Sequence, residues 1–500
     1  MLFSYTELPL DDQTWRRINM RKVAHLIGAE MIHNLYNRHW PRINSLRFRH
    51  TITNFKQGTV ESYAPVNEWA YMQHWLSLKF ISLDPVLIRE IEAIMDPTYD
   101  FVQEVMSKVD NSDLETLPSQ ELALLLIDIM DFPLGDIYKL NVVQIEYGLN
   151  FALHKILEKY EPNTLDRNEL LARLIAPGEL TAAQEEEVAF NKIVAIGKGK
   201  AVSDPSSDES IAQLIKDHHT VFAPTHCAYG ETPPAIQDYL NKYIFMYSLD
   251  KSLLTSTEAK SQVIRQREQS QKLLAKLNDD RLTQLCDLMA KIGVFRDRNK
   301  AKLGETVVRR LRILDEISRR TNVSRSDIDY YLMAELTALL DSGQPVPAAV
   351  INKRQEEGVC FERNEDLLQG VKQIASTSKD GNGAVAESMQ GICASPGEVS
   401  GTVKVILSKD DAPKVNAGDI MVAIGTDFDL LEIMNLAGGI ITEEGGLLSH
   451  ASVVSRELKK PCLIGVPQAT TALKDGDTVR LNAAEGKIYI TGREREHESN

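Results

Sequence analysis

Residues 442–465 read TEEGGLLSHASVVSRELKKPCLIG, and this stretch decides the fold of the C-terminal region. The apolar run before it, residues 439–441, predicts a strand that ends at a turn containing Gly445 and Gly446. Because glycine has no Cβ atom, the backbone N–H groups of two adjacent glycines can converge on one anion. The stretch therefore predicts a strand, an anion-binding turn and then a helix.

The predicted helix begins at His450, with Ser449 as its N-cap, and runs to Leu458. Free N–H groups and the positive end of the helix dipole favour a phosphate at this point. The same positive end disfavours an imidazolium, so the His450 ring is expected to be neutral and nucleophilic near neutral pH. We predict that His450 attacks a phosphoryl donor and holds the phosphoryl group. An exposed imidazole at an ordinary helix start is the alternative that these residues alone leave open.

Short β-rich runs surround this segment and are separated by Gly, Asp, Asn and Pro turns. They read TVKVILS, DIMVAIG, GGIITEE, CLIGV, TVRLNA and KIYIT. Together with the helix they predict a β/α domain over residues 391–492. Residues 373–390 are polar and rich in small side chains, which predicts a flexible linker, and residues 493–500 predict a frayed tail.

Residues 1–372 carry apolar side chains at three- and four-residue spacing, as in QELALLLIDIM, which predicts an all-α domain. Thr181 is the expected N-cap of one of its helices. The loop-like segment at residues 198–208 predicts a possible subdivision. The predicted fold class is therefore multidomain, with an N-terminal all-α domain followed by a C-terminal β/α domain.

Composition excludes several classes of protein. The 500 residues are too many for one core, and the net charge of −15 argues against nucleic acid or an anionic membrane as a partner. The five cysteines are scattered without CxxC spacing, so neither a disulfide framework nor a zinc site is expected. No signal peptide and no membrane-spanning stretch is legible, and we expect a cytoplasmic protein.

The stretch closely resembles the signature of the phosphohistidine swivelling domain, the mobile domain of phosphoenolpyruvate synthase, pyruvate phosphate dikinase, Enzyme I and rifampicin phosphotransferase. The positions that match this pattern are Thr442, Gly445, Gly446, Ser449, His450, Ala451, Arg456, Glu457, Leu458, Pro461 and Gly465. The resemblance implies that His450 is the phosphorylated residue, that Gly445 and Gly446 bind phosphate, and that Thr442 orients the imidazole. A β-branched residue that merely ends a strand is the other interpretation of Thr442.

The resemblance continues through residues 391–397, 417–422 and 474–479, which look like the opening strand, an inner strand and the closing hairpin of that domain. One position departs from the family pattern. Phe428 stands where the family usually has a proline, in a loop that often faces the partner or the substrate. The resemblance therefore leaves the specificity of this loop open while supporting the chemistry of His450.

The sequence contains no recognisable motif of the other domains that accompany this domain in its relatives. No GxxxxGK[ST] loop and no Gly-Gly-Lys-Gly segment occurs, and no (β/α)₈ pattern appears. We therefore expect that this chain binds no cofactor itself and that a separate ATP-grasp protein binds ATP and Mg²⁺ and phosphorylates His450. This split is similar to that of phenylphosphate synthase.

The helical region carries a second resemblance. Residues 293–300 and 326–336 are similar to the helical segment that precedes the swivelling domain in rifampicin phosphotransferase, where that region binds the acceptor. This implies an acceptor-binding domain, with Arg296 and Arg309 as candidate contacts. Arginines paired with carboxylates on a solvated helix face are the alternative.

Residues 217–234, DHHTVFAPTHCAYGETPP, form a predicted loop that is a further candidate for the acceptor pocket through His226 and Tyr229. Adjacent histidines rarely point at one centre, so no metal site is expected.

The predicted function is a phosphotransferase component in which His450 passes a phosphoryl group to or from a small-molecule acceptor. A regulatory protein that retains the domain, and a single-chain antibiotic-type phosphotransferase with an unrecognised nucleotide site, are the alternatives. The linker at 373–390 is expected to let the C-terminal domain move as a rigid body.

Overall fold

The computed structural model describes residues 15–22, 26–27, 30, 50–56, 59–95, 100–135, 142–227, 233–248, 256–364, 367–372, 388–407, 409–426, 430–443, 445, 449–466 and 468–493. The chain divides into two compact units. The first comprises Met1–Leu149, Glu179–Ser261 and Val294–Lys379, and the second comprises Asn150–Gly178, Gln262–Gly293 and Asp380–Asn500. Among the residues described, no helix is both long and apolar enough to cross a membrane.

Most of the described helices precede residue 358. They are α1 Val66–Ile81, α2 Pro85–Ile94, α3 Asp100–Asn111, α4 Ser119–Gly135, α5 Val142–Leu157, α6 Thr164–Leu174, α7 Ala182–Gly199, α8 Glu209–Phe222, α9 Ile236–Ser248, α10 Ser256–Leu277, α11 Asp280–Thr321, α12 Arg325–Ile328, α13 Met333–Ser342 and α14 Ala348–Glu357. The C-terminal region adds α15 Leu431–Leu436, α16 His450–Glu457 and α17 Ala469–Ala472.

Strands occur at both ends of the chain. The N-terminal part contributes β1 Trp15–Lys22, β2 His50–Lys56 and β3 Thr59–Pro65, and β4 Val359–Asn364 and β5 Leu367–Lys372 follow α14. The C-terminal part contributes β6 Ser388–Gln390, β7 Ile392–Ser395, β8 Glu398–Ile406, β9 Ile420–Ala423, β10 Gly439–Thr442, β11 Cys462–Ile464, β12 Thr478–Asn482 and β13 Lys487–Gly492.

The first unit is mostly helical but also contains a sheet, so the prediction of an all-α domain over residues 1–372 is wrong. Five strands pair in the order β1-β3-β2-β4-β5. Every described pair is antiparallel. Strand β4 brings residues from beyond α14 into register with β2 near the start of the chain, and this long-range pairing has no local signal in the sequence.

Polar side chains explain why these strands were missed. Alternate residues of β2 and β3 are buried, which is the two-residue period of a strand: Thr53, Phe55, Val60, Ser62 and Ala64 are each at most 1% exposed. Two of them are polar, and the Thr53 and Ser62 hydroxyl oxygens lie 3.2 Å apart across the strand pair. The buried face therefore does not read as an apolar alternation in the sequence.

The helix start at Thr181 is confirmed. The Thr181 hydroxyl accepts a hydrogen bond from the Gln184 N–H at 3.2 Å, and the Gln184 side chain accepts one from the Thr181 N–H at 3.0 Å. This is a capping box, which satisfies two N–H groups at once. The possible subdivision at residues 198–208 falls inside the first unit, where the Tyr243 hydroxyl donates to the Val202 carbonyl at 2.7 Å.

The second unit contains a mixed sheet of eight strands in the order β6-β13-β12-β8-β9-β10-β11-β7. Strands β8, β9, β10 and β11 run parallel to one another, and the flanking strands are antiparallel. This arrangement confirms a β/α fold for the C-terminal region. Its core is formed by side chains that include Val403, Ile420, Val422, Ile441 and Leu463, all fully buried.

The limits of this unit differ from those expected from sequence. Residues 388–390, assigned to the linker, form β6 and pair with β13. The rest of the predicted linker, residues 373–387, lies outside the described residues. Two helical segments, Asn150–Gly178 and Gln262–Gly293, group with the C-terminal sheet, and α6 within the first of them contacts β7.

Candidate functional site

Parallel strands set the position of the site. Strand β10 is buried along its whole length and ends at Thr442, which pairs with Ala423 at the end of β9. Thr442 is fully buried, and its carbonyl accepts a hydrogen bond from the Val466 N–H at 2.9 Å. Because the carboxyl ends of parallel strands meet at one edge of a sheet, the residues that follow these strands converge there. Any role of Thr442 toward an imidazole stays a prediction.

The turn after β10 depends on a glycine. Gly445 has φ of +128°, a conformation that side-chain-bearing residues rarely adopt. A Cβ atom at this position would lie 2.8 Å from the Ser449 hydroxyl oxygen. The backbone of the turn therefore passes directly against the start of the next helix. Gly446, the second predicted glycine of the phosphate-binding turn, lies outside the described residues.

The predicted helix start is confirmed: α16 begins at His450 and Ser449 is its N-cap. The Ser449 hydroxyl accepts from the Ser452 N–H at 3.4 Å, a long hydrogen bond, and lies 3.1 Å from the Ser452 hydroxyl. The half-buried His450 ring thus projects from the first turn of a helix, where backbone N–H groups have no partner within the helix. This is the local environment that favours an anion beside the imidazole.

Thr426 is the residue that the sequence-based prediction missed. Its hydroxyl oxygen lies 2.9 Å from Nδ1 of His450. In the tautomer in which Nδ1–H donates to Thr426, the basic lone pair of the ring is on Nε2. Thr426 follows the end of β9 as the turn before His450 follows the end of β10, so parallel-strand topology was the signal that could have identified it.

Glu443 anchors the end of strand β10, just before the turn that contains Gly445. The Glu443 N–H donates to the Ala423 carbonyl at 3.0 Å. The Glu443 side chain accepts from the Thr470 N–H at 2.7 Å and also from the Thr470 hydroxyl. These contacts tie the end of β10 both to β9 and to α17, and they fix the backbone from which the turn departs.

Two cysteines of this unit are poorly suited to act as nucleophiles. Burial raises the pKa of Cys393 to about 11, and burial raises the pKa of Cys462 to about 12. Both are therefore neutral thiols near pH 7, and a thiol is much less nucleophilic than a thiolate. Of these three side chains, His450 is the one suited to covalent chemistry at neutral pH.

The candidate arginines of the helical region are engaged in ion pairs. Arg296 pairs with Glu146 of α5, and Arg309 contacts Asp110 of α3 through two nitrogens at 3.0 and 2.6 Å. Arg309 also donates to the carbonyl of Glu305 at 2.8 Å. Because both arginines are paired with carboxylates, a structural role is favoured for each of them. Their role as acceptor contacts stays a prediction.

His226 belongs to a buried charged cluster, which we call the Glu186 cluster: Glu186, His218, His226 and Lys242. Nε2 of His226 lies 2.7 Å from Oε2 of Glu186, while Nε2 of His218 and Nζ of Lys242 each lie 3.7 Å from Oε1. Tyr229, the other candidate of this segment, lies outside the described residues. Glu186 and Lys242 were not anticipated from sequence, because both lie outside residues 217–234, Glu186 on α7 and Lys242 on α9.

The electrostatics of the Glu186 cluster favour an ionised carboxylate. Burial alone would raise the pKa of Glu186, but its contacts with His218 and His226 and the charge of Lys242 outweigh burial and hold that pKa well below its usual range. Burial lowers the pKa of His218, and the neighbouring Glu186 only partly opposes this effect. The cluster therefore holds an ionised carboxylate against a neutral imidazole and an ammonium group.

Comparison with known proteins agrees with the geometry of the second unit. Residues 415–486 match the family described as PEP-utilising enzyme, mobile domain. A probable phosphoenolpyruvate synthase of Methanothermobacter thermautotrophicus is 41% identical over 172 residues, which are 33% of this chain and 25% of that protein. A rifampicin phosphotransferase of Bacillus cereus is 38% identical over 105 residues, which are 21% of this chain and 12% of that protein.

A solution structure of an Enzyme I protein shares 12% sequence identity and covers 62% of this chain and 80% of that chain, with a TM-score of 0.16 that does not establish a shared fold. The chain spans a quarter or less of the length of the two curated relatives. The similarity therefore concerns part of each protein. Within that part, the C-terminal region of this chain carries the mobile domain of PEP-utilising enzymes.

Proposed function

We propose that this chain is a phosphotransferase component in which His450 carries a phosphoryl group to an acceptor bound by the helical region. The observation that carries the proposal is the contact between Thr426 and Nδ1 of His450 at the first turn of α16. The names of the relatives, a probable phosphoenolpyruvate synthase and a rifampicin phosphotransferase, support the same class of reaction.

Phosphoryl uptake follows from the ring geometry. With Nδ1–H donating to Thr426, the Nε2 lone pair attacks the phosphorus of the donor, the Nε2–P bond forms, and the bond from phosphorus to the donor's leaving oxygen breaks. The leaving oxygen takes the electron pair of the broken bond. The new phosphoryl oxygens then lie near the start of α16, where backbone N–H groups and the helix dipole stabilise negative charge.

Transfer to the acceptor breaks the same Nε2–P bond that phosphoryl uptake formed. An acceptor oxygen forms a bond to phosphorus, the P–Nε2 bond breaks, and its electron pair returns to Nε2 to give a neutral imidazole that still carries its proton on Nδ1. The proton of the acceptor hydroxyl must leave to a base. Thr426 keeps the ring orientation fixed throughout, because its hydroxyl can remain bonded to Nδ1 in both states.

We further propose that ATP and Mg²⁺ bind to a separate ATP-grasp protein rather than to this chain. The sequence lacks a legible nucleotide-binding loop, and this supports the division of labour. Calorimetry of the purified chain with ATP tests it. No heat of binding is expected at micromolar ATP, and micromolar affinity would instead favour a single-chain phosphotransferase.

Phosphoryl transfer requires the reacting nitrogen within about 3–3.5 Å of phosphorus at each site. A histidine that serves a donor site on one protein and an acceptor site on another region must therefore move. We propose that residues 373–387 act as the tether, and that the C-terminal sheet gives up the contact between β7 and α6 when it moves. Deletion of about ten of these residues should preserve the fold while changing charging and discharge of His450 to different extents. Unchanged rates for both steps would contradict a moving carrier.

A further inference from the structure

The contact between Thr426 and His450 joins two segments that leave different strands. Thr426 follows β9 and His450 follows β10, and the Thr426 hydroxyl oxygen lies 2.9 Å from Nδ1 of the ring. A hydrogen bond of this length is lost when either partner moves by about 1 Å. The tautomer of His450, and with it the nitrogen that attacks phosphorus, therefore depends on how firmly the ends of β9 and β10 are held together.

Backbone hydrogen bonds hold these strand ends in part. The Glu443 N–H donates to the Ala423 carbonyl at 3.0 Å, which ties the end of β10 to β9. The Val466 N–H donates to the Thr442 carbonyl at 2.9 Å, which ties β10 to the segment after β11. Ala423, Thr442 and Val466 are all fully buried. Both bonds lie before the turn that leads to His450.

Glu443 adds a side-chain contact to these backbone bonds. Its Oε1 atom accepts from the Thr470 N–H at 2.7 Å and also from the Thr470 hydroxyl. Thr470 is 9% exposed, so this contact is largely shielded from water. The first N–H groups of a helix have no partner within the helix, and in the described structure the Gln468 side chain at the start of α17 does not cap them. Glu443 therefore caps α17 from another strand.

The turn after Glu443 leaves little room for adjustment. Two residues further on, a Cβ atom at Gly445 would lie 2.8 Å from the Ser449 hydroxyl oxygen and 3.8 Å from Cβ of Ile464 at the end of β11. The backbone thus passes directly between the start of α16 and the end of β11. Because closely packed groups transmit a displacement to their neighbours, a shift of Glu443 would be passed on to the helix that carries His450.

We propose that Glu443 is a positioning residue for phosphoryl uptake. It holds the end of β10 so that Thr426 bonds Nδ1 of His450 and Nε2 attacks the phosphorus. Its carboxylate acts as a hydrogen-bond acceptor for Thr470 and takes up no proton in the reaction. Without this side chain, α16 shifts relative to Thr426 and both ring nitrogens compete for phosphorus. The assignment rests on the proposed function of His450 and adds the residue that determines which nitrogen reacts.

The rate of His450 phosphorylation tests the assignment. The full chain is incubated with phosphoramidate, a small phosphoryl donor, and the phosphohistidine is followed over time. Glu443→Ala should load about 10-fold more slowly than wild type, because a displacement of about 1 Å at a reacting group can cost up to about 100-fold in rate. Glu443→Gln keeps an oxygen that can accept from Thr470 and should recover most of the rate. A Glu443→Gln rate as low as that of Glu443→Ala would overturn the positioning role, because the charge would then be what matters.

Glu398→Ala is the matched control. Glu398 begins β8, which runs parallel to β9 and β10, so it lies at the edge of the sheet opposite to the His450 site. Its carboxylate also accepts two hydrogen bonds, from Arg480 at 3.0 Å and from Asn482 at 3.2 Å. Glu398→Ala should keep the wild-type loading rate, while thermal unfolding measures the stability that each variant loses. Equal slowing of both alanine variants would overturn the assignment, because it would reflect a general loosening of the second unit.

A double variant shows whether Glu443 acts through Thr426. Thr426→Val removes the hydroxyl, so displacement of the ring away from it has no further effect. Thr426→Val combined with Glu443→Ala should therefore load no more slowly than Thr426→Val alone. If the two losses in rate multiply instead, the residues act independently and Glu443 does not position this contact.

The tautomer of the His450 ring can be measured without any phosphoryl group. Nitrogen-15 spectra of the unphosphorylated protein distinguish a ring nitrogen that carries a proton from one that does not. Wild type should carry the proton on Nδ1, and Glu443→Ala should show a mixture of the two tautomers and, after loading, a fraction of its phosphoryl group on Nδ1. A wild type that does not load would count against the carrier function and leave this measurement intact. A ring in Glu443→Ala that stays protonated on Nδ1 to the same extent as in wild type would overturn the assignment.

Discussion

The second unit gathers most of its site residues from one short stretch, with Thr426 as the exception, whereas the Glu186 cluster of the first unit comes from four separate elements. Gly445, Ser449 and His450 lie within six residues of one another, and a turn and a helix start bring them together. The Glu186 cluster instead draws on α7, α8, α9 and the 3₁₀ turn that follows α8. The His450 site of the second unit is therefore built mainly by local backbone structure. The Glu186 cluster of the first unit is built by tertiary packing. Substitutions at the two sites should therefore have different effects.

The largest effect is expected from Glu186→Ala in the first unit. Removing the carboxylate leaves Lys242 buried without its counter-charge, and breaking a buried ion pair in this way costs about 3–5 kcal/mol. The free energy of unfolding from urea denaturation measures the loss. Glu104→Ala is the matched control, because Glu104 forms an exposed pair with Lys108 at 3.1 Å and should change stability by less than about 0.5 kcal/mol.

A double variant sharpens this comparison. Replacing both partners, as in Glu186→Leu with Lys242→Met, removes both buried charges and should recover much of the lost stability. If Glu186→Ala is as stable as wild type, the cluster is not a coupled buried network and the contrast between the two units does not hold.

The pH dependence of the second unit should be governed by His154. Burial, reinforced by Arg167, lowers the pKa of His154 from its usual 6.5 to about 4. The folded state therefore excludes a proton that the unfolded state binds, so the contribution is complete above pH 6.5 and is lost as pH falls toward 4. The expected loss is up to about 3 kcal/mol.

Urea denaturation of wild type and His154→Gln at several pH values tests this expectation. The variant has no titrating ring at this position, so its stability should be flatter between pH 6.5 and 4. A wild-type profile identical to that of the variant would show that His154 does not carry the dependence.

At the His450 site, replacement of Thr426 should act on the rate of phosphorylation rather than on stability. Thr426→Val removes the hydroxyl that lies 2.9 Å from Nδ1 and leaves the ring tautomer unspecified. The loss of one hydrogen bond to a group that becomes charged corresponds to about 10- to 100-fold in the rate of His450 phosphorylation. Thr426→Ser keeps the hydroxyl and should stay close to wild type. Loading by phosphoramidate, followed over time, measures all three proteins, and an unchanged Thr426→Val rate would remove Thr426 from the site.

The smallest effect is expected at the helix start. Ser449→Ala removes the N-cap of α16 and should destabilise the second unit by about 1 kcal/mol. Ser449→Asp restores a capping side chain and should recover this loss, while its negative charge should slow phosphorylation of the adjacent histidine. Thermal unfolding and the loading rate, measured on the same samples, separate the two effects. Wild-type stability in Ser449→Ala would show that the long 3.4 Å bond contributes nothing.

The features that could be predicted from the sequence follow the same division between local structure and tertiary packing. The strand, the N-cap at Ser449 and the helix from His450 could be predicted because each depends on neighbours within a few residues. Thr426 could not, because it reaches His450 only through the pairing of two parallel strands. The N-terminal sheet was missed because Thr53 and Ser62 occupy buried strand positions that resemble exposed ones in a sequence.

The Glu186 cluster shows the same limit in the helical region. His226 stood out because it lies in a run rich in histidine, but nothing local marked Glu186 as its partner, since forty residues separate them. Likewise Arg309 was a candidate acceptor contact, with an ion pair on a solvated helix face as the alternative. Its carboxylate partner is Asp110, from a helix almost two hundred residues earlier. Pairings across helices depend on packing that a single sequence does not display.

The most direct test of the account is the position of the phosphoryl group after the chain has been loaded. Phosphorus–nitrogen correlation spectra of ¹⁵N-histidine-labelled protein identify both the modified residue and the modified nitrogen. We predict one phosphohistidine, at Nε2 of His450, that is stable in base, labile in acid and absent from His450→Ala. A phosphoryl group that persists in His450→Ala, or that resides on Nδ1 of His450, would contradict the account.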